Sequence, residues 1–121
     1  MPIDTWGWNG QHWAQLADTG PIGRVRHAIA EDGVGVVLFG GQVDLAEGRA
    51  LSLDVSVGAT WAFYEDRWRQ IHDIGPSPRS AHAMAYDQST QRVILFGGQQ
   101  SDPKALLRDT WYLVDRQAKK P

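Results

Sequence analysis

The residue types that could do chemistry are few in this chain and poorly spaced for it. The four histidines are His12, His27, His72 and His82, and no two of them have the spacing of zinc ligands. The apolar run GVGVVLFGG lacks the lysine of a phosphate-binding loop, and the absence of cysteine excludes thiolate metal sites and disulfides. We therefore expect no metal, no cofactor and no enzymatic activity.

Two of the histidines and two arginines recur at one spacing. Arg24 and Arg79 are 55 residues apart, and so are His27 and His82. Residues that occupy the same position of a repeat are expected to have a structural role in each copy. We predict that the two arginines hydrogen-bond to backbone or to an aspartate where repeats meet.

The spacing of 55 extends along most of the chain and defines an internal repeat. It places Trp6 on Trp61, Trp13 on Trp68 and Gly20-Pro21 on Gly75-Pro76. Two extra residues in the second copy then make the spacing 57, which places Phe39-Gly40-Gly41 on Phe96-Gly97-Gly98. A third, partial copy begins at Asp109–Trp111 and matches Asp4–Trp6.

Each repeat is predicted to consist of short strands. The runs HAIAED and HAMAYD precede the continuously apolar runs VVLFGG and VILFGG, which are typical of strands covered on both faces. The glycine pairs are expected where backbone segments pass closely or take positive φ. Asn9-Gly10 predicts a two-residue hairpin loop that would place Trp6 opposite Trp13.

These repeats resemble kelch repeats, the blades of a kelch-type β-propeller. The resemblance lies in the Arg and His-Ala that open the first strand, the Gly-Gly that closes the second, and the aromatic residues of the third and fourth. It implies an all-β fold of four-stranded antiparallel blades around an axis, about two blades per chain. The residues of the structural motif are Gly40, Gly41, Gly97, Gly98, Trp6, Trp13, Trp61, Trp68, Trp111, His27 and His82.

With strands named a to d from the axis outward, the terminal blades are incomplete. We interpret residues 1–121 as one unit, with strands c-d at about 4–17, a full blade at about 26–72, strands a-b-c at about 81–114 and a tail at 115–121. Propellers need at least about four blades. The chain is therefore expected to be a piece of a longer propeller or to assemble with copies of itself, as a dimer, a trimer or a tetramer. We favour a homo-oligomer, the trimer, in which the N-terminal hairpin of one copy closes the open C-terminal blade of another; two strands marked DTW then compete for one position.

The two b–c connections differ in length. In residues 43–58, alternating apolar residues predict an extra strand at 50–57, whereas residues 99–108 predict a loop with one helical turn. Ligand binding in this family commonly uses the face with these loops and the segments between blades. The residues assigned to such a site are Arg24, Asp44, Glu47, Arg49, Arg79, Asp102 and Lys104; edge covering or subunit packing is the alternative role of 43–58.

Composition narrows the choice of function. A net charge of -2 and a pI near 6.0 argue against nucleic acid or an anionic membrane as partner. No signal peptide or membrane-spanning run is evident, so a cytoplasmic location is expected. We predict a protein-interaction module; the alternative is a carbohydrate-binding or sugar-processing propeller, which would need aromatic residues free of the core. Because five of the six tryptophans recur in the repeat and are expected in the core, the interaction module is favoured.

Overall fold

A computed structural model describes residues 3–43, 55–56, 58–72, 75–101 and 103–113. These residues hold thirteen strands and no helix, which confirms the all-β prediction. The strands are β1 (Thr5–Trp8), β2 (Trp13–Ala17), β3 (Ala28–Glu31), β4 (Val36–Phe39), β5 (Gln42–Val43), β6 (Val55–Ser56), β7 (Thr60–Tyr64), β8 (Arg67–His72), β9 (Ala83–Asp87), β10 (Arg92–Phe96), β11 (Gln99–Ser101), β12 (Lys104–Leu106) and β13 (Thr110–Tyr112).

The longest sheet is an antiparallel meander of four strands in the order β3-β4-β7-β8. Its second strand, VVLF, is almost wholly buried, as its continuous apolar run predicts. A second sheet has three strands in the order β9-β10-β13, and β1 pairs with β2 as a separate hairpin. All these pairings are antiparallel, and the strands lie within the ranges expected from the repeat.

The register of the N-terminal hairpin differs from its prediction. Trp13 pairs with Trp8 rather than with Trp6, because the loop is centred on Gly10-Gln11 and not on Asn9-Gly10. The Asn9 side chain accepts hydrogen bonds from the backbone N–H groups of Gln11 and His12, and Gly10 takes a φ of 99°. A loop with Gly10 and Gln11 at its centre therefore replaces the predicted loop of Asn9-Gly10.

This register makes Trp8 part of the repeat. Trp68 pairs with Phe63 just as Trp13 pairs with Trp8, and the ring centroids are 5.0 Å and 5.5 Å apart respectively. Phe63 and Trp8 therefore hold the same aromatic position in two hairpins. Trp8 is thus the one tryptophan whose equivalent in the next copy is a different residue.

The two connections after the glycine pairs each contain a small ladder. β5 pairs with β6 after the first, and β11 pairs with β12 after the second, so a hairpin stands where one helical turn was predicted. Pro103 lies in its turn. Of the strand expected at 50–57, the structure describes Val55–Ser56, which form β6. The other residues of that range lie outside the described residues.

The core lies between the four-stranded and the three-stranded sheets. Ala30, Val37 and Val93 are buried there, with Met84, Tyr86 and Leu113 packed around them. The tryptophans do not all join this core as expected. Trp61 and Trp68 are half-buried, whereas Trp6, Trp13 and Trp111 are exposed because they lie on the first hairpin and the last sheet, which have no further repeat beside them. No described helix is long and apolar enough to cross a membrane.

Candidate functional site

The two glycine pairs adopt the backbone conformation that the sequence predicts. Gly40 and Gly97 have φ of 75° and 72°, and Gly41 and Gly98 have φ of 103° and 96°. A Cβ on Gly98 would lie 2.7 Å from the Ser80 carbonyl oxygen and 2.8 Å from the His82 Cβ. Each pair thus brings its strand end against the segment that carries the repeated arginine and histidine.

Arg79 is fully buried, and all five of its N–H donors are used. Its Nε donates to the Ser77 carbonyl at 3.1 Å, and Nη1 donates to the Gly97 carbonyl at 3.0 Å. The carboxylate of Asp109 accepts from Nη1 at 2.7 Å and from Nη2 at 2.9 Å, and the Ser77 hydroxyl takes the last donor. The predicted bond to an aspartate is present, and no donor remains for an external ligand. The assignment of Arg79 to a ligand site is corrected accordingly.

Asp109 also accepts a hydrogen bond from the indole of Trp111 at 2.7 Å. The Arg79 guanidinium, and then this indole, hold the pKa of Asp109 well below its ordinary value. Trp6 and Asp4 form the same indole–carboxylate pair at 2.8 Å in the N-terminal hairpin. In both DTW sequences the tryptophan indole therefore holds the aspartate carboxylate in place, and at Asp109 this carboxylate accepts from an arginine.

Arg24 repeats only half of the Arg79 arrangement. It donates to the Ile22 carbonyl and to the Gly40 carbonyl, each at 3.0 Å, as Arg79 does to the equivalent carbonyls. Ile22 stands where the other site has Ser77, and Ala59 stands where it has Asp109. Burial lowers the pKa of Arg24. Among the described residues, no carboxylate forms an ion pair with it.

A junction between the two large sheets uses the repeated histidine. The buried His82 donates from Nε2 to the Phe39 carbonyl at 2.9 Å, and its ring meets the Phe39 ring edge-on. Beside it, the Gly41 N–H donates to the Arg79 carbonyl at 2.8 Å, and the Ala81 N–H donates to the Arg26 carbonyl at 2.9 Å. We call this set of contacts the inter-sheet junction.

The two halves of this junction recur, exposed, on different sheets. His27 is the equivalent of His82 and is exposed, and Phe96 is the equivalent of Phe39 and is 53% exposed. Burial, and then the charge of Arg24, lower the pKa of His27. The four-stranded sheet thus carries the donor half, and the three-stranded sheet carries the acceptor half.

A second paired feature is a cavity of about 240 Å³ beside the three-stranded sheet. Its walls include Thr60, Gly75, Pro76 and Leu95. The repeat equivalents of these residues lie around Trp68. Thr5, Pro21 and Leu38 line a second cavity together with Trp68, and Gly20 lies against the Trp68 ring. Trp68 donates from its indole to the Thr5 hydroxyl at 2.8 Å, and its ring lies directly over Gly20.

Of the remaining residues assigned to a ligand site, the structure describes Lys104 alone. Lys104 is exposed on β12, and Asp44, Glu47, Arg49 and Asp102 lie outside the described residues. Sequence reasoning missed Asp109 and the Phe39 carbonyl. Asp109 could have been found, since DTW occurs twice in the sequence and an aspartate was predicted as a partner of the repeated arginines. The Phe39 carbonyl could not, because a backbone acceptor has no signature in the sequence.

The neutral form of His82 is built into the inter-sheet junction. Its Nδ1 is buried without a hydrogen-bond partner, so protonation there would bury an N–H without an acceptor. Burial is the main cause that lowers the pKa of His82 below 6.5. We expect the free energy of unfolding to be fully retained above that pH and to fall as the pH is lowered through it, because the unfolded chain binds the proton more readily. Urea midpoints between pH 5 and 8 check this, and His82→Gln should flatten the profile; an equally steep profile in that variant would assign the effect elsewhere.

Comparison with protein-family models finds no match to the chain, and comparison with curated proteins finds none either.

Proposed function

We propose that the chain is a non-catalytic, kelch-type interaction module that completes a β-propeller by assembling with copies of itself. In this proposal the four-stranded sheet is one full blade, and the three-stranded sheet is a blade without its outer strand. The N-terminal hairpin of a second copy supplies the strand that is missing. Loops on one face of the completed ring then hold a protein partner.

The observation that carries this proposal is the match between Trp13 and the cavity of about 240 Å³. Trp13 is the repeat equivalent of Trp68 and is 62% exposed. The cavity presents Thr60 as the equivalent of the hydroxyl that accepts from Trp68, and Gly75 as the equivalent of the glycine beneath its ring. A second copy's Trp13 would thus find the surroundings that Trp68 has within the chain.

The inter-sheet junction supports the same mode of assembly. A copy whose His27 donates to the Phe96 carbonyl of its neighbour would repeat the bond from His82 to Phe39. Because the two halves are different surfaces on different sheets, the contact is heterologous, and only a closed ring satisfies every copy. Two blades per chain make a trimer of six blades, with a dimer of four and a tetramer of eight as the other closed rings.

Two strands compete for the third position of the closed blade. β13 holds it in the single chain through the bond from Arg79 to Asp109, and β1 carries the same indole–carboxylate pair at Asp4 and Trp6. Insertion of the hairpin as a unit would place Asp4 against Arg79. The Asp4→Ala and Asp109→Ala variants distinguish the two arrangements, since only the carboxylate used in the assembly should stabilise it.

The test is the molar mass in solution of variants at the proposed contact. We expect the wild type to have three times the 13.5 kDa of one chain by light scattering, and Trp13→Ala to shift the population towards single chains. Gly75→Leu should do the same from the other side, because a side chain added at Gly75 meets no atom within 4 Å in the single chain and takes up cavity space.

Leu106→Ala provides the matched control. Leu106 is 85% exposed and lines neither cavity, so its loss removes exposed apolar area without touching the contact. This variant should keep the wild-type molar mass. A folded wild type that remains a single chain at micromolar concentration, or a Trp13→Ala variant with unchanged molar mass, would overturn the proposal.

Carbohydrate binding is the second candidate, and the exposed tryptophans favour it. Trp8 and Trp13 form a tilted pair, 55% and 62% exposed, on the N-terminal hairpin. Aromatic faces of this kind can stack on sugar rings. A glycan array with the wild type and with Trp8→Ala separates the candidates: glycan binding that depends on Trp8 in a single-chain protein would put this function first.

A further inference from the structure

The structure contains a second cavity, of about 180 Å³, between the N-terminal hairpin and the segment before β3. Polar groups reach it from Arg24, His27, Asp4 and Thr5, and its apolar walls include Trp68. The Thr5 hydroxyl is engaged by the Trp68 indole, and the Asp4 carboxylate is engaged by the Trp6 indole. Arg24 also lines this cavity, and its guanidinium uses two of its five N–H donors in hydrogen bonds to the described residues.

The comparison with Arg79 shows what those donors are arranged to bind. Both arginines spend Nε and one Nη1 hydrogen on backbone carbonyls, so their planes are fixed in the same way. At Arg79 three remaining hydrogens go to the Asp109 carboxylate and the Ser77 hydroxyl. At Arg24 the same three hydrogens have no side-chain acceptor among the residues that the structure describes, because Ala59 and Ile22 replace Asp109 and Ser77.

We infer that the Arg24 cavity binds a small monocarboxylate, whose two oxygens take the position that the Asp109 carboxylate has at Arg79. A planar guanidinium with two parallel donors recognises a carboxylate in bidentate fashion and does so more strongly than a neutral acceptor. Ile3, Ile22, Leu38 and Trp68 offer apolar contact to a short alkyl tail. Asp4 lines the same cavity, so a second negative charge on the ligand is disfavoured.

The experiment measures thermal stability and binding heat with butyrate, using butyramide as the neutral isostere and chloride at equal ionic strength. We expect butyrate to raise the melting temperature of the wild type, butyramide and chloride to leave it unchanged, and succinate to bind more weakly than butyrate. Arg24→Gln should weaken butyrate binding at least about tenfold, since it removes the charge-assisted pair. Arg67→Gln, an exposed arginine outside the cavity, should bind butyrate like the wild type.

The decisive variant is Ala59→Asp, which restores the carboxylate of the other site within the chain. It should raise the melting temperature without ligand and abolish the response to butyrate. Equal responses to butyrate and butyramide, or a butyrate response that survives Ala59→Asp, would overturn the inference. Molar mass with and without butyrate separates two sources of the carboxylate: a fall on adding butyrate assigns the site to an acidic side chain of a second copy, and an unchanged mass assigns it to the free ligand.

This inference does not depend on the proposed assembly. Gly75→Leu, which tests the assembly, lies at the other cavity and should leave butyrate binding intact. Loss of assembly with retained butyrate binding, or the reverse, therefore tells which of the two proposals has failed.

Discussion

Replacing Arg79 with methionine is expected to lower the free energy of unfolding by about 2–3 kcal/mol, because it leaves the buried Gly97 carbonyl without its donor and breaks the charge-assisted pair with Asp109, whose side chain is 43% exposed. The variant would leave the Ser77 and Gly97 carbonyls and the Asp109 carboxylate without the donors they now have. Methionine keeps an unbranched side chain in the space, so the loss reports on the hydrogen bonds more than on a void. Urea denaturation measures the change.

The matched control is Arg24→Met, since Arg24 has the same backbone bonds without the carboxylate. We expect it to cost about 1–2 kcal/mol, as two hydrogen bonds are lost and no ion pair is broken. A double-mutant cycle between Arg79 and Asp109 then isolates the pair itself. Equal costs for the two arginine variants would show that the Asp109 contact adds nothing to stability.

The second large effect is expected for Gly98→Val, at about 3–5 kcal/mol. Two costs combine there: a β-branched residue at a φ of 96°, and a Cβ within 3 Å of the Ser80 carbonyl and the His82 side chain. Because the backbone oxygen cannot move without breaking the bridge between Ser80 and Gln99, the strain is not easily relieved.

Gly33→Val separates the two costs. Gly33 has a φ of 88°, but a Cβ there meets no atom within 4 Å, so only the backbone strain of about 1–3 kcal/mol applies. Melting temperatures of both variants give the comparison. If Gly98→Val is no worse than Gly33→Val, the close approach at the glycine pair is not what that position requires.

Much of the strand arrangement was predictable because the same sequence pattern occurs twice in the chain. The recurrence of Gly40-Gly41 at Gly97-Gly98 predicted both strand ends and their positive φ, and the apolar runs located β4 and β10. The hairpin register was not predictable from Asn9-Gly10. There the side-chain bonds of Asn9 decided which residues form the loop, and these compete with backbone turns at similar energy.

The candidate sites were harder to foresee because they depend on differences between copies. The sequence indicates that Arg24 and Arg79 are equivalent, but Asp109 is 30 residues from Arg79 and its absence at Ala59 became meaningful only when the contact was seen. The exposure of Trp13 was likewise outside the pattern. The repeat predicts which residues a strand contains, whereas the burial of those residues depends on which other strands pack against them.

The meander order of the two large sheets has a consequence for how the chain folds. Every strand of the four-stranded sheet pairs with its nearest large-sheet neighbour in sequence, so each sheet can form from local contacts at small cost in loop entropy. The sheets are joined by the shared apolar core around Ala30, Val37 and Val93 and by the backbone bonds of Gly41 and Ala81. Cooperativity between the two sheets therefore depends on these two sets of contacts, and a chain weakened at both would unfold in two steps, the sheets melting independently.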